Sequence, residues 1–323
     1  MHLELGDGFV ALVLIVAVAT MLVISPALHI PYPILLVLGG LAIGLVPGMP
    51  ELEFQPELVF FGVLPPLLYS AAFFTSLRDL RANVRPIGLL AIGLVVVTTV
   101  GVAVVAHTFV AGLTWASAFV LGAIVSPTDP LAATSIARRL GVPRKLVMTV
   151  EGESLVNDGT GLVLYRVAVA AVVTGSFSAF HTSGLFVVVV CGGIAVGLAV
   201  GWIVRQVRRR LHNPPAEITI SLLTGYLAFI PAELLGVSAV LAAVTAGIYL
   251  GWHTPELTTA QVRLQGLAVW EIVQYLLNAL LFVLVGLQLP VILEALDDVP
   301  GARLLGYAVL VSATVIVLRF AWV

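Results

Sequence analysis

Charge is what this sequence has least of: only 10% of its 323 residues are Asp, Glu, Lys or Arg. A soluble domain carries roughly 25%, so an ordinary soluble enzyme is excluded. Basic tracts are short as well. The formal net charge is −2, and no run of Lys and Arg could neutralise a series of phosphates, which excludes nucleic acid as a partner. The single cysteine, Cys191, rules out an intrachain disulfide or a multi-cysteine metal site. The His-Glu-x-x-His zinc pattern is missing too. What fills the chain is apolar, with 60% hydrophobic residues and a mean hydropathy of +1.14. This is the composition of an all-α integral membrane protein of many spans.

A spanning helix needs about 20 mostly apolar residues. Eleven candidates satisfy this: 8–28, 33–47, 57–76, 86–111, 114–138, 146–174, 184–205, 216–232, 237–251, 265–289 and 303–323. The segments 33–47 and 237–251 are short for a crossing. Met1-His2-Leu3-Glu4 offers no basic n-region, so the first span is not read as a cleaved signal peptide. Arg78, Arg81, Arg85, Arg138, Arg139, Arg144, Lys145, Arg205, Arg208, Arg209, Arg210 and Arg263 all follow odd-numbered spans. Loops after even-numbered spans hold Glu51, Glu53, Glu233, Glu294, Asp297 and Asp298 instead. Positive residues stay inside, so the odd-to-even loops are expected in the cytoplasm and the N-terminus outside. Arg303 sits at a span end. Arg166 and Arg319 lie within spans, and Arg166 receives no role from its sequence context.

Ionisable groups at membrane depth cost about 2.5–3.5 kcal/mol each on insertion scales and mark function by default. They gather in spans five and six. Span five contains Ser126-Pro127-Thr128-Asp129-Pro130. Pro127 has no N–H for the Ala123 carbonyl and Pro130 none for that of Ser126, and each disfavours helix at the residue before it. The helix should therefore unwind there, exposing carbonyl oxygens and half-helix ends that can hold a cation. The competing reading is a plain proline kink packed in the core; the acid between the prolines argues against it.

Span six contains Glu151-Gly152-Glu153-Ser154-Leu155-Val156-Asn157-Asp158-Gly159. Ser154 and Asp158 are four apart and share a face, with Glu151 two turns before Asp158; Glu153 and Asn157 share the neighbouring stripe. A polar helix end suits Glu151 but not Asp158, about 20 Å beyond Lys145 at 1.5 Å per residue. Asp158, Ser154, the Thr128 carbonyl and, through water, Asp129 form an oxygen set for a small monovalent ion. Divalent ions draw on more direct carboxylates. The Asp158 carboxylate can also carry a proton. A proton and a cation then compete for one group, and competition at a site open to one side at a time gives obligatory exchange. Arg319 needs an acid, and Glu153 beside the ion face is the expected partner, with helix packing as its role. Glu271 is read as a solvated residue near a helix end.

These two motifs, with Leu64-Pro65-Pro66 and Phe282-Val283-Leu284-Val285-Gly286-Leu287-Gln288, resemble the sodium/proton antiporters of the cation:proton antiporter-1 family, the NhaP-like and NHE-type exchangers. The resemblance implies thirteen spans, of which eleven are present here, and an inverted repeat. It implies a homodimer in the cell membrane that serves pH homeostasis and uses no cofactor beyond transported Na⁺ and H⁺. By it, Asp158 binds ion and proton, with Na⁺ at Asp158, Ser154 and Thr128. Asn157 and Asp129 shape the site, and Glu153 pairs with Arg319. Residues 1–76 and 216–290 would be the dimer-forming scaffold, 86–174 and 303–323 the moving core, and 184–210 the linker helix. The Asn157-Asp158 order is similar to that of electroneutral members. Departing from some members, the stretch after Leu-Pro-Pro reads Leu67-Leu68-Tyr69-Ser70, without an acid. The second broken helix of the repeat is not found in spans ten and eleven, so it is expected beyond Val323, in a longer protein, and residues 1–323 alone are then not expected to transport. K⁺/H⁺ exchange on the same scaffold is the alternative activity. A membrane-embedded hydrolase using Asp129 and Asp158 as an acid pair is the alternative class, and a channel the remaining one.

Overall fold

The computed structural model describes residues 31–46, 56–130, 140–174, 179–211, 213–296 and 299–323, with isolated positions among 16–21 and 133–137. Most of the candidate span 8–28 lies outside the described residues, as do Glu51, Glu53, Arg138, Arg139, Asp297 and Asp298. The elements are α1 (Tyr32–Gly44), α2 (Val59–Phe74), the short α3 (Leu77–Ala82), α4 (Val84–Phe109) and α5 (Trp115–Val125). They continue with α6 (Arg144–Thr174), α7 (Ala179–Arg208), α8 (Pro214–Leu234), α9 (Ala239–Leu257), α10 (Ala260–Glu294) and α11 (Gly301–Trp322). Among the described residues six helices are long and apolar enough to cross a membrane, namely α4, α6, α7, α8, α10 and α11; α1, α2 and α5 are shorter apolar helices.

Several boundaries differ from those read off hydropathy. Helix α5 stops at Val125, well before residue 138. Its start is capped by Thr114, whose hydroxyl accepts from the Ser117 N–H at 3.2 Å, supplying a partner for an end group that has none inside the helix. Helix α9 runs on past residue 251 to Leu257. Helix α10 reaches 35 residues and carries Pro290 inside it, beyond the proline-free 265–289. Glu271 is consequently three turns inside α10 and exposed, not at its end.

Helix α2 opens with a π-helical turn over Val59–Val63, just before Leu64-Pro65-Pro66. Pro66 has no N–H to offer the Gly62 carbonyl. The Tyr226 hydroxyl, on α8, donates to that carbonyl at 2.6 Å, so a side chain from another helix repairs the defect.

The helices sort into two packed groups. Helix α1 lies along α10, and α9 packs on α2, α7 and α8. Separately, α4 packs on α5 and α11, and α6 packs on α5 and α4. Contacts between the groups are sparse and run mainly through α6. Small residues allow the closest approaches: a Cβ on Gly286 would run into the Val37 carbonyl, and one on Gly40 into that of Val283. Interfaces in lipid favour such residues, because tails as apolar as the side chains leave contact and hydrogen bonding as the cohesive terms.

Gly286→Ala therefore drives a methyl into the α1 backbone. Overpacking of this kind costs about 1–3 kcal/mol, and the variant should melt below wild type in a detergent thermal scan. An unchanged melt would mean that α1 and α10 do not touch there.

Candidate ion site at the broken helix

Helix α5 ends where its sequence removes donors. The Ser126 N–H still reaches the Gly122 carbonyl at 3.1 Å. Pro127 cannot serve the Ala123 carbonyl, and the Ser126 hydroxyl donates to it instead at 3.3 Å. Thr99 on α4 in turn donates to the Ser126 hydroxyl at 3.1 Å. Residues 128–130 are non-helical. Gly161 on α6 lets Pro127 sit against that helix where a side chain would collide.

Thr128 is where three helices meet. Its carbonyl accepts from the Ser154 hydroxyl at 2.7 Å and from Asn157 Nδ2 at 3.4 Å. Its own hydroxyl accepts from Asn157 Nδ2 at 3.2 Å and Arg319 at 3.4 Å, and donates to Glu153 Oε1 at 3.4 Å. Arg319 Nη2 closes the circuit on the Glu153 carboxylate at 2.9 Å. Glu153 is 2% exposed and Asn157 1%. Ser154 is buried as well, so both stripes of α6 converge on the unwound strand. Asn157 Oδ1, also buried, meets no donor among the described residues.

Asp158 stands apart from this circuit. It is half-buried, and among the described residues no hydrogen-bond or ion-pair partner meets its carboxylate. Asp129 is exposed, not enclosed between its prolines. The two acids thus lie on the side of the break open to other groups, while Glu153, Ser154 and Asn157 hold the strand from behind. Among the described residues no group of three or more His, Cys, Asp or Glu forms a metal cluster; the oxygens available are one or two carboxylates, hydroxyls and backbone.

The family model for the transmembrane sodium/hydrogen exchanger matches residues 12–323. The chain belongs to the sodium/hydrogen exchanger family. Among relatives, an uncharacterised Na⁺/H⁺ exchanger from Mycobacterium tuberculosis is 39% identical over 98% of this chain and 59% of its own length. A sodium, potassium, lithium and rubidium/H⁺ antiporter from Bacillus subtilis is 32% identical over 97% of this chain and 48% of its own. This exchanger-family chain thus spans about half to three fifths of the curated relatives it matches. Among solved structures, the sodium proton antiporter MjNhaP1 from Methanocaldococcus jannaschii superimposes with a TM-score of 0.69 at 22% identity, over 89% of this chain and 71% of that one. That likeness establishes a shared fold.

One pair escaped the sequence reading. Arg166 on α6 makes a two-pronged ion pair with Glu233 near the end of α8, at 2.8 and 3.1 Å, and so ties the two helix groups together. Glu233 had been read only as a loop acid. The residues are 67 apart in sequence, and no helical spacing relates them. The usable signal is depth: an arginine late in one span and an acid at the end of another.

Removing one partner of a buried ion pair costs about 3–5 kcal/mol, because the other charge is left stranded. Glu153 is far more enclosed than Arg319, at 2% against 35% side-chain exposure. Arg319→Ala should therefore lower the melting temperature more than Glu153→Gln, and the double variant should recover part of the loss. Wild-type melting of both single variants would show that the pair bears no load.

Proposed function

We propose that this chain carries the ion pathway of a secondary active transporter that exchanges Na⁺ or Li⁺ for H⁺ by alternating access. The observation that carries the reading is the Asp158 carboxylate, one helical turn past Ser154 and without a hydrogen-bond or ion-pair partner among the described residues, beside a helix unwound at Ser126–Pro130. Unwound backbone at membrane depth is tolerated where it lines a protein interior or a watery cavity, and half-helix ends there are cation sites. Asp158 is read as the group that holds either the ion or the proton. Ser154, Thr128 and, through water, Asp129 complete the ligand set for Na⁺, and Asn157 keeps the strand in place. The Glu153–Arg319 pair is read as structural. Exchange is read as electroneutral, from the likeness of the Asn157-Asp158 order to electroneutral members of the family.

The family is one of transporters and not of enzymes, which favours this reading over the embedded hydrolase. The curated names support the ion class: the M. tuberculosis relative is named a Na⁺/H⁺ exchanger and MjNhaP1 a sodium proton antiporter. The B. subtilis name also lists potassium, which keeps K⁺/H⁺ exchange as the second reading.

The division into moving parts is taken from the family resemblance, and the packing supports it. Residues 86–174 and 303–323, holding α4, α5, α6 and α11, are read as the core that carries the ion. Residues 1–76 and 216–290 are the scaffold, and 184–210 the linker, which packs on the scaffold helices α8 and α9. Sparse contacts between the groups suit rocking of one against the other. The same reading gives this chain about eleven of the thirteen spans of an inverted-repeat antiporter fold. It takes the chain as one protomer of a plasma-membrane homodimer, with the N-terminus outside and the odd-to-even loops in the cytoplasm.

Wherever the parent protein moves protons in everted vesicles on adding Na⁺, Li⁺ or K⁺, Asp158→Asn should abolish that movement while the protein still inserts. Retained proton movement in that variant would overturn the assignment. In the wild type, lowering the pH should raise the half-saturating Na⁺ concentration, since protons occupy the carboxylate that the ion needs. A half-saturating concentration independent of pH would mean separate sites for the two.

A further inference from the structure

Away from the ion site, a cavity of about 280 Å³ opens between the ends of α2, α7, α9 and the starts of α8 and α10. Phe73, Phe74 and Trp270 line its apolar side, and Arg208, Glu217 and Arg263 its polar side. Arg208 is 4% exposed, and neither its Nε nor its Nη1 meets a hydrogen-bond acceptor. A guanidinium stays charged under all ordinary conditions, and burying it unpaired costs several kcal/mol. Basic neighbours at this end do have partners. Arg205 pairs with Glu256 at 3.1 Å, and Arg81 stacks on Trp252 at 4.5 Å from the ring centre. Among the described residues Arg208 Nε and Nη1 have none, and the side chain borders a space large enough for a ligand.

We propose that this cavity binds the phosphodiester of a membrane phospholipid, with Arg208 and Arg263 as its cationic ligands. Three features select that chemistry. A planar fork of N–H donors suits phosphate oxygens two at a time. Two arginines against Glu217 leave the lining with one net positive charge, which matches a singly charged phosphodiester better than a doubly charged phosphate. The position selects the source. The apolar span Val187–Arg208 ends here, and Pro214–Leu234 and Ala260–Glu294 begin here, so the cavity sits at headgroup level. Acyl chains leaving it would run over Phe74, which is 40% exposed, and Leu267, which is 48% exposed.

The test uses delipidated protein in detergent. Short-chain phosphatidylglycerol should raise the melting temperature and persist as an adduct in native mass spectrometry. Diacylglycerol of the same chain length and inorganic phosphate should do neither. Arg208→Met should lose the response to phosphatidylglycerol while still folding. Should Arg208→Met fail to fold, Arg263→Gln on the exposed rim should raise the half-saturating lipid concentration about tenfold, the loss of one charge-assisted hydrogen bond. The proposal is overturned if diacylglycerol or inorganic phosphate stabilises equally, or if the folded arginine variants respond like wild type.

Discussion

Backbone polar groups stripped of helical partners cost several kcal/mol each in hydrocarbon, and residues 126–130 expose such groups in the middle of a bundle. The strand survives because Thr128 is gripped at both its carbonyl and its hydroxyl by Ser154, Asn157, Glu153 and Arg319. These four side chains come from two other helices, α6 and α11. The break in α5 is therefore a tertiary object: it keeps its shape only while α6 and α11 hold their places. The cost of burying the Glu153–Arg319 pair belongs to the same account. An ion pair seldom adds net stability over apolar packing, but it fixes the position of the strand, and through the strand the surroundings of Asp158.

Division of labour on α6 follows from this. Its Glu153, Ser154 and Asn157 hold the strand, whereas Asp158, one residue on, meets no hydrogen-bond or ion-pair partner among the described residues. The helix that grips the break also borders the other helix group, where Leu155 packs among Ala228, Ala232 and Ala239 and Arg166 reaches Glu233. Changes at the carboxylate and changes at the boundary between the groups are thus felt by one rigid rod.

What could be read from sequence was local chemistry. The loss of helix at Pro127 and Pro130 is written in the residue type, since a missing N–H is missing in any fold. The side-chain stripes of α6 follow from 3.6 residues per turn. Spacing missed one detail: the Ser154 hydroxyl, on the face of Asp158, also donates to the Thr128 carbonyl, because the unwound strand lies across both stripes. Helix ends were misjudged for a different reason. Hydropathy detects where hydrocarbon stops, not where the helix stops, so α6 begins at Arg144 and α10 at Ala260, in polar sequence. The pairing of Arg166 with Glu233 and the π-helical turns of α2 and α4 depend on which helices become neighbours, and no short window contains that.

The 35 residues of α10 make a rod of about 52 Å at 1.5 Å per residue, set against a hydrocarbon layer of about 30 Å. A rod so oversized must lean or overhang, and a leaning rod changes its slant when the bilayer thickens or thins. Since α1 is locked along it by facing glycines, both would swing together, making lipid thickness a mechanical input to this half of the molecule.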